Sequence, residues 1–203
     1  MNDNILVADI EGYASVFDER DLNGDVIDPG AFAKSLKASV NIKMLYQHMA
    51  EAPIGRWTSF TKDRRGLFVT GEILLSSPRA REVHALLAGR ALDGLSIGYQ
   101  TVRARKNTRH GGRKDERRII EAALWEVSIV TFPMAPGARV THVGSPRPEE
   151  CRRVSPLARP ARESAHGMSG PLRRPGGRAS ADPQADVRHF ADALRSAATI
   201  ISV

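Results

Sequence analysis

Apolar positions in the first 143 residues fall into short runs broken by turn residues, and most of those runs have strand character. Ile5–Val16 reads as a strand and Asp21-Leu22-Asn23-Gly24-Asp25 as a turn. Asp28-Pro29 offers an N-cap with Pro at the first helical position, which predicts a helix running to about Ala38. Asn41–Tyr46 is a further strand. Trp57–Thr61 and Leu67–Ile73 pair as a hairpin across Lys62-Asp63-Arg64-Arg65-Gly66. Ser77-Pro78 opens a second helix that stops at Gly89, and strands at about 95–105 and 117–131 flank a basic loop. No regular strand-helix-strand alternation and no internal repeat is present. The fold class expected is mainly β with some α: an antiparallel β-barrel surrounded by a few helices, followed by a disordered C-terminal tail.

The pattern ends near Gly144. Residues 144–185 are rich in Pro, Arg, Gly, Ser and Ala, with almost no aromatics and no apolar period. Such a segment buries too little apolar surface to offset its ordering entropy, and it reads as a disordered linker. Over 186–203 a short amphipathic helix is expected: Val187, Phe190, Ala191, Leu194, Ala197 and Ala198 recur at helical spacing, with Asp186 placed to cap. Domain organisation is therefore one globular domain (1–143), a linker, and a terminal helix suited to docking.

Composition narrows the class. The 203 residues are 41% hydrophobic and 26% charged, enough for one sizeable domain. No apolar run approaches the roughly 20 residues that cross a bilayer, and no basic region precedes the first apolar run. These features predict a soluble intracellular protein with no membrane partner. The one cysteine, Cys151, excludes an internal disulfide and a multi-cysteine zinc site. Net charge is +7, split as 20 Lys and Arg against 17 acids in 1–143 and 10 against 6 beyond. The basic stretch Arg103–Arg118 is the best case for nucleic-acid binding, but no aromatics interleave with its charges and Asp115 and Glu116 dilute them. A solvated hairpin loop accounts for it better. No phosphate loop, dinucleotide fingerprint or H-E-x-x-H occurs, and no cofactor is expected.

Gly94-Leu95-Ser96-Ile97-Gly98 fits the G-x-S-x-G pattern of a hydrolase nucleophile elbow, yet that device needs a helix after the serine and here a strand follows. A serine hydroxyl attacks only if a base takes its proton and a third group orients that base. Of six histidines, His48 stands out, at the end of the strand Lys43–Gln47 and before Ala50-Glu51-Ala52-Pro53, which read as a turn. Glu126 lies in the apolar run Ala123–Pro133, where a carboxylate must be paired. A salt bridge to arginine and a role orienting His48 are both open at this point.

Six motifs occur in order: Gly12–Phe17, Asp25–Phe32, Tyr46-Gln47-His48, Pro53-Ile54-Gly55, Gly94–Tyr99 and Leu124–Pro133. Together, over residues 4–141, they resemble the prohead (capsid-maturation) serine proteases of tailed bacteriophages, a family similar in fold to the herpesvirus assemblins. The resemblance implies a serine endopeptidase with Ser96 as nucleophile, His48 as base and Glu126 as orienting acid, with Asp93 or His142 as fallbacks for the third position. It further implies a protease inside the assembling procapsid in the host cytoplasm. Its partners would be the scaffold protein and the scaffold-like N-terminal segment of the major capsid protein. A homodimer is left open, since assemblins dimerise to become active. On this reading 144–203 is a targeting element removed by self-cleavage; the plainer alternative is a solvated tail without a role. Two other classes compete: a serine esterase or acyl hydrolase using Ser96, and a non-catalytic capsid-assembly or nucleic-acid-binding module.

Overall fold

The computed structural model describes residues 5–38, 41–107 and 116–149. The strands are β1 (Leu6–Val16), β2 (Asp25–Ile27), β3 (Lys43–Tyr46), β4 (Met49–Lys62), β5 (Gly66–Leu74), β6 (Gly94–Asn107), β7 (Glu116–Val130), β8 (Val140–Val143) and β9 (Arg147–Pro148). Two helices, α1 (Ala33–Lys37) and α2 (Pro78–Ala88), interrupt them. Neither is long and apolar enough to cross a membrane.

The strand path runs β2-β7-β3-β4-β5-β1-β8, with β6 on β7 and β9 on β1. It returns on itself at residues 138–140. Arg139 bridges Gly94, Leu95 N–H donates to Ala138 O at 3.0 Å, and Val140 N–H donates to Asp93 O at 2.8 Å. From the same segment Arg139 O accepts from Tyr13 N–H at 2.9 Å, so the start of β6 is tied to β1 and β8. The core packs Ile10, Met44, Ile54, Leu67, Ile73, Leu95, Leu124 and Ile129, all fully buried. The predicted barrel differs in one respect: β2 and β3 both run parallel to β7, along successive stretches of one edge, so the sheet is mixed.

Between those stretches β7 would expose backbone groups, and α1 fills the gap. Ser35 Oγ donates to Ala122 O at 2.9 Å and accepts from Leu124 N–H at 3.0 Å, while Ala122 N–H donates to Ala31 O. The helix itself starts later than Asp28-Pro29 suggests. Asp28 Oδ1 accepts from Gly30 N–H in a local turn, and helical backbone begins only after Phe32. Asp side chains compete for nearby backbone in this way, which favours a turn over a helix start. Ser77 does cap α2, accepting from Ala80 N–H with Pro78 next.

The fold also continues past the compositional break at Gly144. β9 pairs with Leu6 and Val7, and Glu149 N–H donates to Ile5 O at 2.7 Å. Arg147 Nη2 reaches Asp9 at 2.6 Å and Glu72 at 3.0 Å, and Arg56 bonds both Glu72 and Glu149. Charge pairing holds 144–149 on the sheet edge although its composition matches the linker. The remainder of the expected linker, the terminal helix over 186–203 and most of the basic loop lie outside the described residues.

Candidate active site

β6 and β7 pair antiparallel with Ser96 opposite Ser128 and Gly98 opposite Glu126. Directly opposed residues share a face, as do neighbours two apart, so Ser96, Gly98, Glu126 and Ser128 all point one way. The alternate positions, Leu95, Val127 and Ile129, enter the core. One residue further on, the register slips: Glu126 faces Gly98, but Leu124 faces Tyr99, leaving Trp125 as the extra residue. Bulges of this kind re-aim side chains. Here it lets Leu124 join the core while Glu126, two positions away, faces the opposite side.

Glu126 is 1% exposed, and both its oxygens are bonded. Oε1 lies 2.6 Å from His48 Nδ1, and Oε2 accepts from Ser128 Oγ at 2.6 Å. A carboxylate only accepts, so Nδ1 carries the proton and donates it, which leaves His48 Nε2 as the basic nitrogen. The Ser128 hydroxyl in turn accepts from His48 N–H at 3.1 Å. Gly98 provides the space for this carboxylate. A Cβ there would lie 2.8 Å from Glu126 Cδ and 2.9 Å from Cγ.

His48 is held by a turn that its sequence does not announce. Tyr46 pairs with Met49, leaving Gln47-His48 as a two-residue hairpin loop with φ of +55° and +58°. This is the backbone of a type I′ turn, which normally recruits Asn-Gly. Two residues with side chains in that region cost of order 1–3 kcal/mol each, and the surroundings must enforce it. They do. Gln47 N–H donates to Ile129 O at 3.0 Å, Gln47 Nε2 donates to Thr131 Oγ1 at 2.7 Å, and Gln47 Oε1 accepts from Thr131 N–H. The turn expected at Ala50–Pro53 is instead the irregular start of β4, where the register shifts twice.

Thus His48 and Glu126 come together, with Ser96 one strand away on the same face and 6% exposed. The two fallbacks sit elsewhere. Asp93 is half exposed, and its carboxylate is 2.5 Å from Arg139 Nη1. His142 is exposed on β8, opposite Glu11. Among the described residues no cluster of His, Cys, Asp and Glu is placed to hold a metal ion. Sequence reasoning missed Ser128, Gln47 and Thr131. The Glu-x-Ser spacing within one strand was the available signal for the first, since it sets both side chains on one face.

This geometry coincides with a match to the family described as Caudovirus prohead serine protease, which covers residues 2–151. The chain belongs to that family. All its described residues, 5–149, lie within the matched span. It is similar to the prohead protease of Enterobacteria phage HK97, with 33% identity over 133 residues. That alignment takes in 61% of this chain and 54% of the HK97 protein, so the chain spans about half the length of the curated relative it matches. Among solved structures it is similar to the Kaposi's sarcoma herpesvirus protease bound to a hexapeptide phosphonate inhibitor (TM-score 0.46, 20% identity, 70% of this chain and 65% of that one). The varicella-zoster virus protease is comparable (TM-score 0.46, 14% identity, 68% and 64%). Membership of the prohead-protease family rests on the sequence match and not on these structures.

Proposed function

We propose that this protein is a serine endopeptidase that matures a tailed-phage capsid, with Ser96, His48 and Glu126 as its catalytic residues. The observation that carries the reading is the 2.6 Å bond from His48 Nδ1 to a buried carboxylate, made on the strand face that also presents Ser96. That bond fixes the tautomer in which Nε2 takes the Ser96 proton as Oγ attacks the scissile carbonyl. Glu126 stabilises the imidazolium, which then protonates the leaving amine. Water, activated by the same nitrogen, hydrolyses the acyl-enzyme. No cofactor enters this scheme.

The substrates proposed are the scaffold protein, the scaffold-like N-terminal segment of the major capsid protein, and the chain's own residues beyond Glu149. An enzyme enclosed with its substrate in the assembling procapsid meets it at high effective concentration, so weak binding suffices. Intact mass against time, for wild type and Ser96→Ala incubated alone and with capsid and scaffold partners, tests this directly. Discrete cleavage by the wild type only is expected. Cleavage by Ser96→Ala at the wild-type rate would remove Ser96 from the mechanism. Turnover of small esters with every protein left whole would favour an acyl hydrolase instead.

A further inference from the structure

Ser128 is fully buried at 0% exposure, yet it is a polar residue, near the C-terminal end of the strand that carries Glu126. A buried hydroxyl is tolerated when both its donor and its acceptor capacity are used. Both are used here, and both on the same site. Its proton goes to Glu126 Oε2, and its lone pair receives His48 N–H. Glu126 Oε1 completes the circuit at His48 Nδ1. One oxygen thus holds the carboxylate from the side away from the imidazole, and holds the backbone of the base residue at its left-handed φ of +58°.

We infer that Ser128 is a positioning residue for the Ser96 reaction: it locks the Glu126 carboxylate and the strained His48 backbone in register with each other. This rests on the roles proposed above for Ser96, His48 and Glu126. Without the Ser128 hydroxyl, Oε2 loses its donor inside the protein and Glu126 is free to rotate about its last torsion. His48 N–H loses its acceptor, and one of the restraints on an unfavourable turn disappears with it. The imidazole then samples orientations other than the one that its Nδ1–H bond to Glu126 now fixes. Misplacement of a reacting group by about 1 Å can cost about 100-fold in rate.

The test uses the full chain and a fluorophosphonate probe that reacts with activated serines and needs no peptide substrate. Wild type is expected to label and Ser96→Ala to remain blank. Ser128→Ala should label about 10- to 100-fold more slowly. Ser128→Thr and Ser128→Val are close in volume and differ in the hydroxyl. With matched melting temperatures, the threonine variant is expected to recover most of the rate and the valine variant to stay slow. This pair remains informative should the alanine variant unfold, and equal rates for the two would overturn the role of Ser128. Wild-type labelling that survives Ser96→Ala, or is absent, would instead overturn the proposed active site itself.

Discussion

Two regions of this molecule pair carboxylates with basic groups, and they do so to opposite ends. At the seam between β1 and β9, Asp9, Glu72 and Glu149 are met by Arg56 and Arg147. Burial pushes the Glu72 carboxyl up, but its bonds to Arg56 and Arg147 outweigh that and leave it below the usual range; the bond from Arg147 holds Asp9 low as well. Guanidinium groups stay charged and bind with several donors, so the seam is a clamp with nothing left over to react. At the β6–β7 face, Glu126 is met by an imidazole on one oxygen and a hydroxyl on the other, and the imidazole has a second ring nitrogen outside that pair. Pairing with arginine fastens a segment, whereas pairing with histidine retains a base.

The largest break in that comparison comes from Glu126→Gln. An amide cannot accept at both of its atoms. With its oxygen toward His48, its NH2 must donate to Ser128, which already accepts from His48 N–H. With the amide reversed, its NH2 faces Nδ1 and drives the imidazole proton to Nε2. The first arrangement removes the charge that stabilises the imidazolium and the second removes the base, and kcat is expected to fall about 1,000- to 10,000-fold in a peptide-cleavage assay. A fall of less than tenfold would mean that the carboxylate does not orient the base.

Next in size is Gly98→Ala. The added methyl meets a carboxylate that is bonded on both sides and has no free route away from it. Overpacking of this kind costs roughly 1–3 kcal/mol by denaturant melts, and cleavage should weaken with it. Unchanged stability with full activity would show that Glu126 has room to move.

The smallest effect is expected at the clamp. Arg147→Gln should leave cleavage intact and lower Tm by a few degrees, since much of the pairing is solvent-exposed and screened by salt. Its signature is in the pH dependence. Asp9 and Glu72 have folded pKa values below their ordinary ones, so the stability they contribute is present at neutral pH. It is lost as pH falls through the acidic range below about 4. Tm curves for wild type and Arg147→Gln should therefore converge under acid and separate at pH 7. Parallel curves would mean that the clamp carries no linked protons.

Much of this was legible in the sequence, because local pattern and tertiary demand agree along most of the chain. The β4–β5 hairpin, the Ser77-Pro78 start of α2 and the long β6–β7 pair follow from periodicity and turn chemistry. A carboxylate in the run around Trp125 had to find a partner, and Glu126 has two. Illegible were features set by distant residues. Gln47-His48 is not a turn sequence; it turns because Thr131 and Ser128 hold it there. β2, β8 and β9 are each four residues or fewer, too short to establish a period. The segment 144–149 has a linker's composition, and partners far away in the chain, the β1 backbone and the side chains of Asp9, Glu72 and Arg56, make it part of the fold.

Ser35 gives the fold a different kind of protection. The stretch of β7 between β2 and β3 is a short open rung, where another chain's backbone would otherwise find ready partners. By giving its hydroxyl to both Ala122 O and Leu124 N–H, Ser35 occupies that rung with a side chain, which cannot propagate pairing as a strand would. On this account Ser35→Ala would betray itself less in the melting curve than in a tendency to self-associate as concentration rises.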